Sequence, residues 1–346
     1  NYHIDELIIG GQGQEEHRLP WTGKDSYESL VEKFNPDVKI TKCPEDHHLS
    51  HAAATFYGSG FDTAAALIVD GCGSLHSLEE GQIRAFETES IYKCSFPGEF
   101  EPVFKRYGGN NLPRVVESDR EIDGGVTLVK AYEAVTQYLG FGFIEAGKTM
   151  GLFPYGKPNN NIPALFDDQG KVPLSNRNII IPTYPNAALV NDKFYRELSA
   201  DSVDNGTPEG DEVDLTILNN RRDLAYACQI ETQQQASNLI RKAVELSGNK
   251  NVVISGGYGL NCVANYHYLK DLEDLDLNIY VEPVSNDAGT AMGAALILYH
   301  ELTQNVYYYR EDKDRAGDNL YLGPAYDFTL QQLKSIGKTY QAEVKE

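Results

Sequence analysis

The chain has 346 residues, room for about two packed units at roughly 150 residues each. Hydrophobic residues make up 41% and charged residues 23%, so a sizeable core can be buried and a disordered tail is excluded. With 30 Lys and Arg against 51 Asp and Glu, the net charge of −21 excludes a general nucleic-acid or membrane-surface role, though not a local basic pocket.

The five cysteines, Cys43, Cys72, Cys94, Cys228 and Cys262, are odd in number and form no CxxC pair. That usage predicts free thiols in a reducing cytoplasm. No apolar run reaches the ~18 residues of a membrane span, and no basic-then-apolar leader opens the chain. Because residue 1 is Asn rather than Met, we expect a start that is processed, truncated or incomplete.

In chain order, Leu7-Ile8-Ile9 reads as a short strand ending at Gly10-Gly11. Ser26 to Phe34 has helical spacing. His47 to Phe56 is a histidine-rich helix with Asp46 as its N-cap. Thr63 to Val69 is a buried strand closed by Asp70-Gly71-Cys72-Gly73-Ser74, and a hairpin pattern follows through Ile83 and Ile91. Gly125 to Leu139 has a helical period, and Gly140 to Gly156 reads as a glycine-rich connection. Residues 157–222 read as an aperiodic insertion with short strands such as Ile179-Ile180-Ile181. Asp223 to Leu246 is the longest helix candidate. Val252 to Ile254 is a buried strand, Leu277 to Val281 another, and Thr290 to Leu302 an alanine-rich helix. Strands alternating with helices predict an α/β fold.

Five segments can carry chemistry. His47 and His51 are spaced i, i+4, so on a helix two imidazoles share one face and can share a divalent ion. The same spacing also suits caps or surface polar groups; His48 and Ser50 point elsewhere. Asp70 ends a buried strand beside Gly71 and Gly73, glycines that let backbone N–H groups approach a phosphate; an ordinary Asp-Gly hairpin is the plainer alternative. Ser255-Gly256-Gly257-Tyr258-Gly259-Leu260-Asn261 follows a second buried strand and suits backbone approach to a nucleotide, or a simple glycine turn. Asp287 sits at a helix start, as an N-cap or as the carboxylate that completes the histidine pair. Lys148 lies in a Gly-Lys-Thr that fails the phosphate-loop spacing, yet it can contact an anion.

Taken together, DHHLSHAAATF, ALIVDGCGS, EAGKTMGLFPYG, ISGGYGLNC and NDAGTAMGAAL resemble, in kind and order, the motifs of the NodU/CmcH carbamoyltransferases. The resemblance runs from about Asp46 to Leu322-Gly323-Pro324. It implies a two-lobed actin/sugar-kinase/Hsp70-like (ribonuclease H-like) fold with its N-terminal strand missing. Lobes are expected over 1–130 and 131–310, and a segment at 311–346 leading toward a YrdC-like domain. It implies metal ligands at His47, His51 and Asp287, with Fe2+ favoured over Zn2+ or Mn2+, and an active-site carboxylate at Asp70. It also implies a nucleotide loop at Ser255, Gly256, Gly257 and Asn261 that binds ATP or carbamoyl-adenylate. The implied reaction moves a carbamoyl group from carbamoyl-adenylate, made by the YrdC-like domain, to a hydroxyl of a sugar or secondary metabolite. Because the chain ends at Glu346, we expect it to lack the activation half-reaction. Two other functions fit the same fold: a sugar- or acid-kinase phosphotransferase, which needs no HxxxH pair, and a non-catalytic nucleotide-binding module.

Overall fold

The computed structural model describes residues 6–10, 26–33, 35–43, 47–125, 127–166, 180–181, 183–185, 188–190, 215–303 and 329–340. In chain order the elements begin with β1 (Glu6–Gly10), α1 (Ser26–Val31), β2 (Lys39–Cys43), α2 (His47–Ser59), β3 (Thr63–Val69) and β4 (Leu75–Leu78). They continue through β5 (Ile83–Ser95), β6 (Glu99–Gly108), β7 (Val115–Val116), β8 (Arg120–Asp123), α3 (Leu128–Tyr138), α4 (Ala146–Leu152), β9 (Ile180–Ile181) and β10 (Leu189–Val190). The remainder is α5 (Leu215–Ser247), β11 (Asn251–Ser255), α6 (Cys262–Asp271), β12 (Asn278–Val281), α7 (Ala288–Thr303) and α8 (Leu330–Thr339).

Strand β3 shows why helices cover both faces of the main sheet. Successive side chains on a strand alternate faces. Ala64, Ala66 and Ile68 pack with Ala52, Ala53 and Phe56 of α2, and α7 adds Leu296 and Ile297. Ala65, Leu67 and Val69 face the other layer, with Leu128 and Val135 of α3 and Leu239 and Ile240 of α5. All six strand residues are buried, as a continuous apolar run requires when both faces are covered. Burying Leu67 or Ile68 stabilises the fold by about 1.5–3 kcal/mol each.

The eight-stranded sheet runs β12-β11-β3-β5-β6-β8-β7, with β4 also paired to β5. Strands β12, β11 and β3 are parallel, whereas β3, β5 and β6 form an antiparallel meander. Three parallel strands end at one edge, so the loops after β3 and β11 open into one crevice, the usual ligand position in α/β sheets. β1 pairs in parallel with β2 in a separate two-stranded sheet, and β9 with β10 in another.

Several expectations need correction. The sheet draws strands from both sides of residue 130, since β11 lies between β12 and β3; a lobe boundary there would cut a hydrogen-bonded sheet. The stretch Gly140 to Gly156 is not only connection, because it contains α4. Interior glycines cost a helix about 1 kcal/mol each, but tertiary packing offsets this: buried Thr149 meets Thr136 hydroxyl to hydroxyl at 2.8 Å. Helix α5 begins at Leu215, within the segment read as insertion, because Asn219-Asn220-Arg221-Arg222 shows no apolar period. Asp46 lies outside the described residues, as does most of 167–214. Among the described residues no helix is long and apolar enough to cross a membrane.

Candidate functional site

The site is built at the amino-terminal ends of two adjacent helices. The first turn of a helix leaves backbone N–H groups without intrahelical acceptors. The His47 N–H of α2 is satisfied from elsewhere in the chain, by Ser74 Oγ at 3.2 Å. His47 and His51 then share one face, ring centroids 4.8 Å apart. Helix α7 lies against α2 at a distance only glycine permits: a methyl group on Gly293 would stand 1.7 Å from the Ser50 carbonyl oxygen. That close crossing brings Asp287, just before α7, to the histidines. Its Oδ1 is 3.7 Å from His47 Nε2 and 3.9 Å from His51 Nε2.

The parallel strands bring the remaining groups. Asp70 follows β3, and its Oδ2 accepts from His47 Nε2 at 3.3 Å. Its Oδ1 accepts from the Gly257 N–H at 3.1 Å. Gly256 makes this possible. Its φ is +91°, and a methyl group there would meet the Val69 carbonyl oxygen at 2.4 Å, so only glycine suits both the turn and the approach. Ser255, at the end of β11, places its Oγ 3.1 Å from His51 Nδ1. With Nδ1–H donating to Ser255, His51 Nε2 presents its lone pair toward Asp287. That nitrogen is buried and has no hydrogen-bond partner among the described residues.

The electrostatics differ from group to group. Burial opposes charge on His47, but the hydrogen bond to Asp70 and the Asp70, Asp287 and Glu87 carboxylates outweigh it and raise its pKa. Burial dominates for His51 and His48, pushing them down to about 3 and about 4. Asp70 is buried, which favours its neutral form, yet the His47 hydrogen bond and the surrounding imidazoles hold its pKa well below the usual carboxylate range. Asp287 is raised, by partial burial and then by the Asp70 charge.

One ligand atom from each of His47, His51, Asp70 and Asp287 lies within 4.8 Å of the others. Two neutral-nitrogen donors, two carboxylates and an orphaned buried Nε2 suit a divalent transition ion. Sequence reasoning set Asp70 apart from the ligand set; it sits in the same cluster. No spacing signal could show this, because the His47–Asp70 contact is made by the packing of α2 on β3 and not by positions along one element.

The other expected residues are placed as follows. Gly71 faces α3, where a methyl group would meet Glu133 Oε1 at 2.7 Å, and Gly73 faces His48, where it would meet Nε2 at 2.7 Å. Asn261 caps α6 by accepting from the Ala264 N–H at 3.0 Å, and its amide pairs with Gln229 in both directions, at 3.1 and 3.0 Å. Lys148 is exposed on α4, ion-paired with Glu145 and lying over the Phe141 ring. Glu87, which no motif in the sequence signals, is a fully buried carboxylate that pairs with Lys105 and with His76 at 3.2 Å. Its backbone accepts from the Gly73 N–H and donates to Ser74 O, which anchors the hairpin that caps α2.

Parallel strands and paired helix ends thus gather two imidazoles and two carboxylates in one crevice, a donor set able to hold a divalent ion. The chain belongs to the carbamoyltransferase N-terminus family, whose model matches residues 16–296. It is 31% identical over 299 residues to an uncharacterised protein of Synechocystis sp., covering 85% of this chain and 42% of that one. It is 28% identical over 285 residues to the nodulation protein NolNO of Sinorhizobium fredii, covering 80% of this chain and 34% of the relative. The chain therefore spans less than half the length of these relatives. Among solved structures, full-length HypF in its phosphate- and nucleotide-bound form matches with a TM-score of 0.47 and 12% identity, over 87% of this chain and 48% of HypF.

Proposed function

We propose that this chain transfers a carbamoyl group from carbamoyl-adenylate to a hydroxyl of a small-molecule acceptor, a sugar or secondary metabolite. Family membership supports carbamoyl transfer in general. The observation that carries the reading to this site is the convergence of His47, His51, Asp70 and Asp287 within 4.8 Å. These four would hold a divalent ion, Fe2+ first among Fe2+, Zn2+ and Mn2+; when bound, it supplies Lewis acidity.

The reaction forms the bond from acceptor oxygen to carbamoyl carbon. It breaks the bond from the carbamoyl carbon to the phosphate oxygen, AMP leaves with that oxygen, and the hydroxyl proton passes to solvent water. Asp70 is strongly held in its ionised form, so it is a weak base. Its part is to orient His47 and, through the Gly257 N–H, to keep the glycine loop beside the cluster. The Gly73 N–H is held by the Glu87 carbonyl, so Gly71 is the residue at which the backbone would approach the adenylate phosphate, with Ser255, Gly256 and Gly257 flanking it. A kinase-type phosphotransferase leaves the His47/His51 pair without a use.

The test has two parts. The chain, reconstituted anaerobically with Fe2+ or Zn2+, is expected to retain about one ion, the stoichiometry of a single four-ligand site. It is then supplied with carbamoyl-adenylate and hydroxyl acceptors, and AMP release coupled to O-carbamoylation is measured. Absence of bound ion, or acceptor-dependent AMP release that survives His51→Ala undiminished, overturns the reading.

A further inference from the structure

Helices α2 and α7 run side by side in the same direction. Their amino-terminal ends form the cluster; on another side of the pair, Leu49 and Tyr57 of α2, Ile297, His300 and Glu301 of α7 and the hairpin between β5 and β6 line a half-open cavity of about 300 Å3. Tyr57 of α2 is ten residues beyond His47, about 15 Å along the helix at 1.5 Å per residue. Leu49 also lines the cavity, but two residues on from His47 a helical side chain points about 200° away, so the cavity lies off the face that carries the cluster.

Its walls are aromatic and aliphatic. Tyr57 stacks on His300 of α7 with centroids 4.4 Å apart and planes 16° apart, and meets Phe100 edge-on at 5.7 Å. Ile297 supplies an aliphatic wall. The Tyr57 hydroxyl donates to the Pro97 carbonyl at 2.8 Å, so its proton is already used. Glu301, one residue past His300, also lines the cavity. It is exposed and makes no hydrogen bond or ion pair among the described residues. Burial lowers the pKa of His300, so at neutral pH that ring brings no positive charge to balance Glu301. Among the lining residues, one carboxylate thus stands beside three π-systems.

We infer that this cavity binds a small organic cation, an ammonium or guanidinium group carried on a compact apolar body. Aromatic faces attract a cation through the ring quadrupole, and an unpaired carboxylate adds a directional partner. An anion would meet Glu301 and the negative ring faces. A neutral apolar body would fill the walls but leave Glu301 without a counterion. A volume near 300 Å3 is at the lower end for small-molecule sites and suits a single substituted ring.

The probe is 2-phenylethylammonium chloride, titrated into the full chain by calorimetry, with 2-phenylethanol as the neutral isostere. The ammonium is expected to bind at least about fivefold more tightly than the alcohol, and Glu301→Gln to erase that difference. Ile297→Trp fills the cavity and is expected to weaken the ammonium at least about tenfold, with the melting temperature checking that the variant is folded. Glu301→Lys alters only an exposed position and is expected to transfer the preference to 3-phenylpropionate. His47→Ala is expected to leave probe binding unchanged, which separates this site from the cluster. Equal binding of ammonium and alcohol, no binding of either, or a preference that survives both Glu301 substitutions overturns the inference.

Discussion

The two ends of the α2–α7 pair share one backbone contact and differ in almost everything else. At one end, four ionisable groups gather, and three of them are buried. Each is held by a group from another element: His47 by Ser74 and Asp70, His51 by Ser255, Asp70 by Gly257. At the other end, rings stack and the one formal charge, Glu301, stays in solvent. Low dielectric makes a buried charge costly unless it is paired, so the first end demands precise partners from distant strands. The second end needs only shape. The glycine contact sets the helix spacing for both.

The largest expected effect comes from removing that contact. Gly293→Val would push side-chain carbons into the Ser50 carbonyl and part the helices at both ends. Overpacking against backbone belongs at the upper end of its range, so we expect a loss of about 3 kcal/mol in urea unfolding. Divalent-ion binding should be lost in the same variant. Full stability with unchanged ion affinity would show that the helix spacing does not shape the cluster.

His51→Ala acts on one end only. It removes the buried Nε2 that faces Asp287 and is expected to lower divalent-ion affinity by at least about 100-fold, beyond what loss of an outer partner brings. Ser255→Ala, which removes only the group that orients His51, is expected to cost about 10-fold. Competition with a metallochromic chelator measures both. If the two variants are equally weak, His51 is a positioning group rather than a ligand.

Acidity separates the two histidines. Because the pKa of His47 is raised, protons compete with the ion from above the ordinary imidazole value, and affinity should fall as pH drops through that raised pKa. His51, at about 3, stays neutral throughout this window. Asp70→Asn removes the negative charge that helps to raise His47, so the midpoint of the pH dependence should move lower even though one carboxylate is lost. A midpoint that moves higher would contradict the part assigned to the Asp70 charge. Zn2+ titrations between pH 8 and pH 5 cover the window.

The smallest effects test the caps and the exposed end. Ser74→Ala frees the His47 N–H and is expected to destabilise by about 1 kcal/mol, as for an N-cap loss. Glu301→Gln, at an exposed position, should change stability by less than about 0.5 kcal/mol. Thermal unfolding distinguishes the two. A larger loss at Glu301 than at Ser74 would mean that the outer end, not the cluster end, holds the more stabilising contact.

Local pattern made much of this chain legible. The i, i+4 histidines appear on one helical face, β3 spans the apolar run Thr63 to Val69, and Asp287 lies at a helix start beside them. Periodicity and spacing are short-range properties, and the sequence by itself determined them. Only the tertiary structure decided that Asp70 stands among the histidines, because that needs α2 packed on β3, and that Gly257 and Ser255 join them, because β3 pairs with β11 from far along the chain. The same holds for Asn261, whose amide is taken up by Gln229 of α5, and for Lys148, drawn to Glu145 and Phe141. It holds also for the sheet that joins strands from both sides of residue 130. A residue type and its neighbours define what a side chain is able to do. Which distant partner claims its hydrogen bonds is settled by packing; for His47 and Asp70 that partner, and for His51 burial itself, sets the charge they carry.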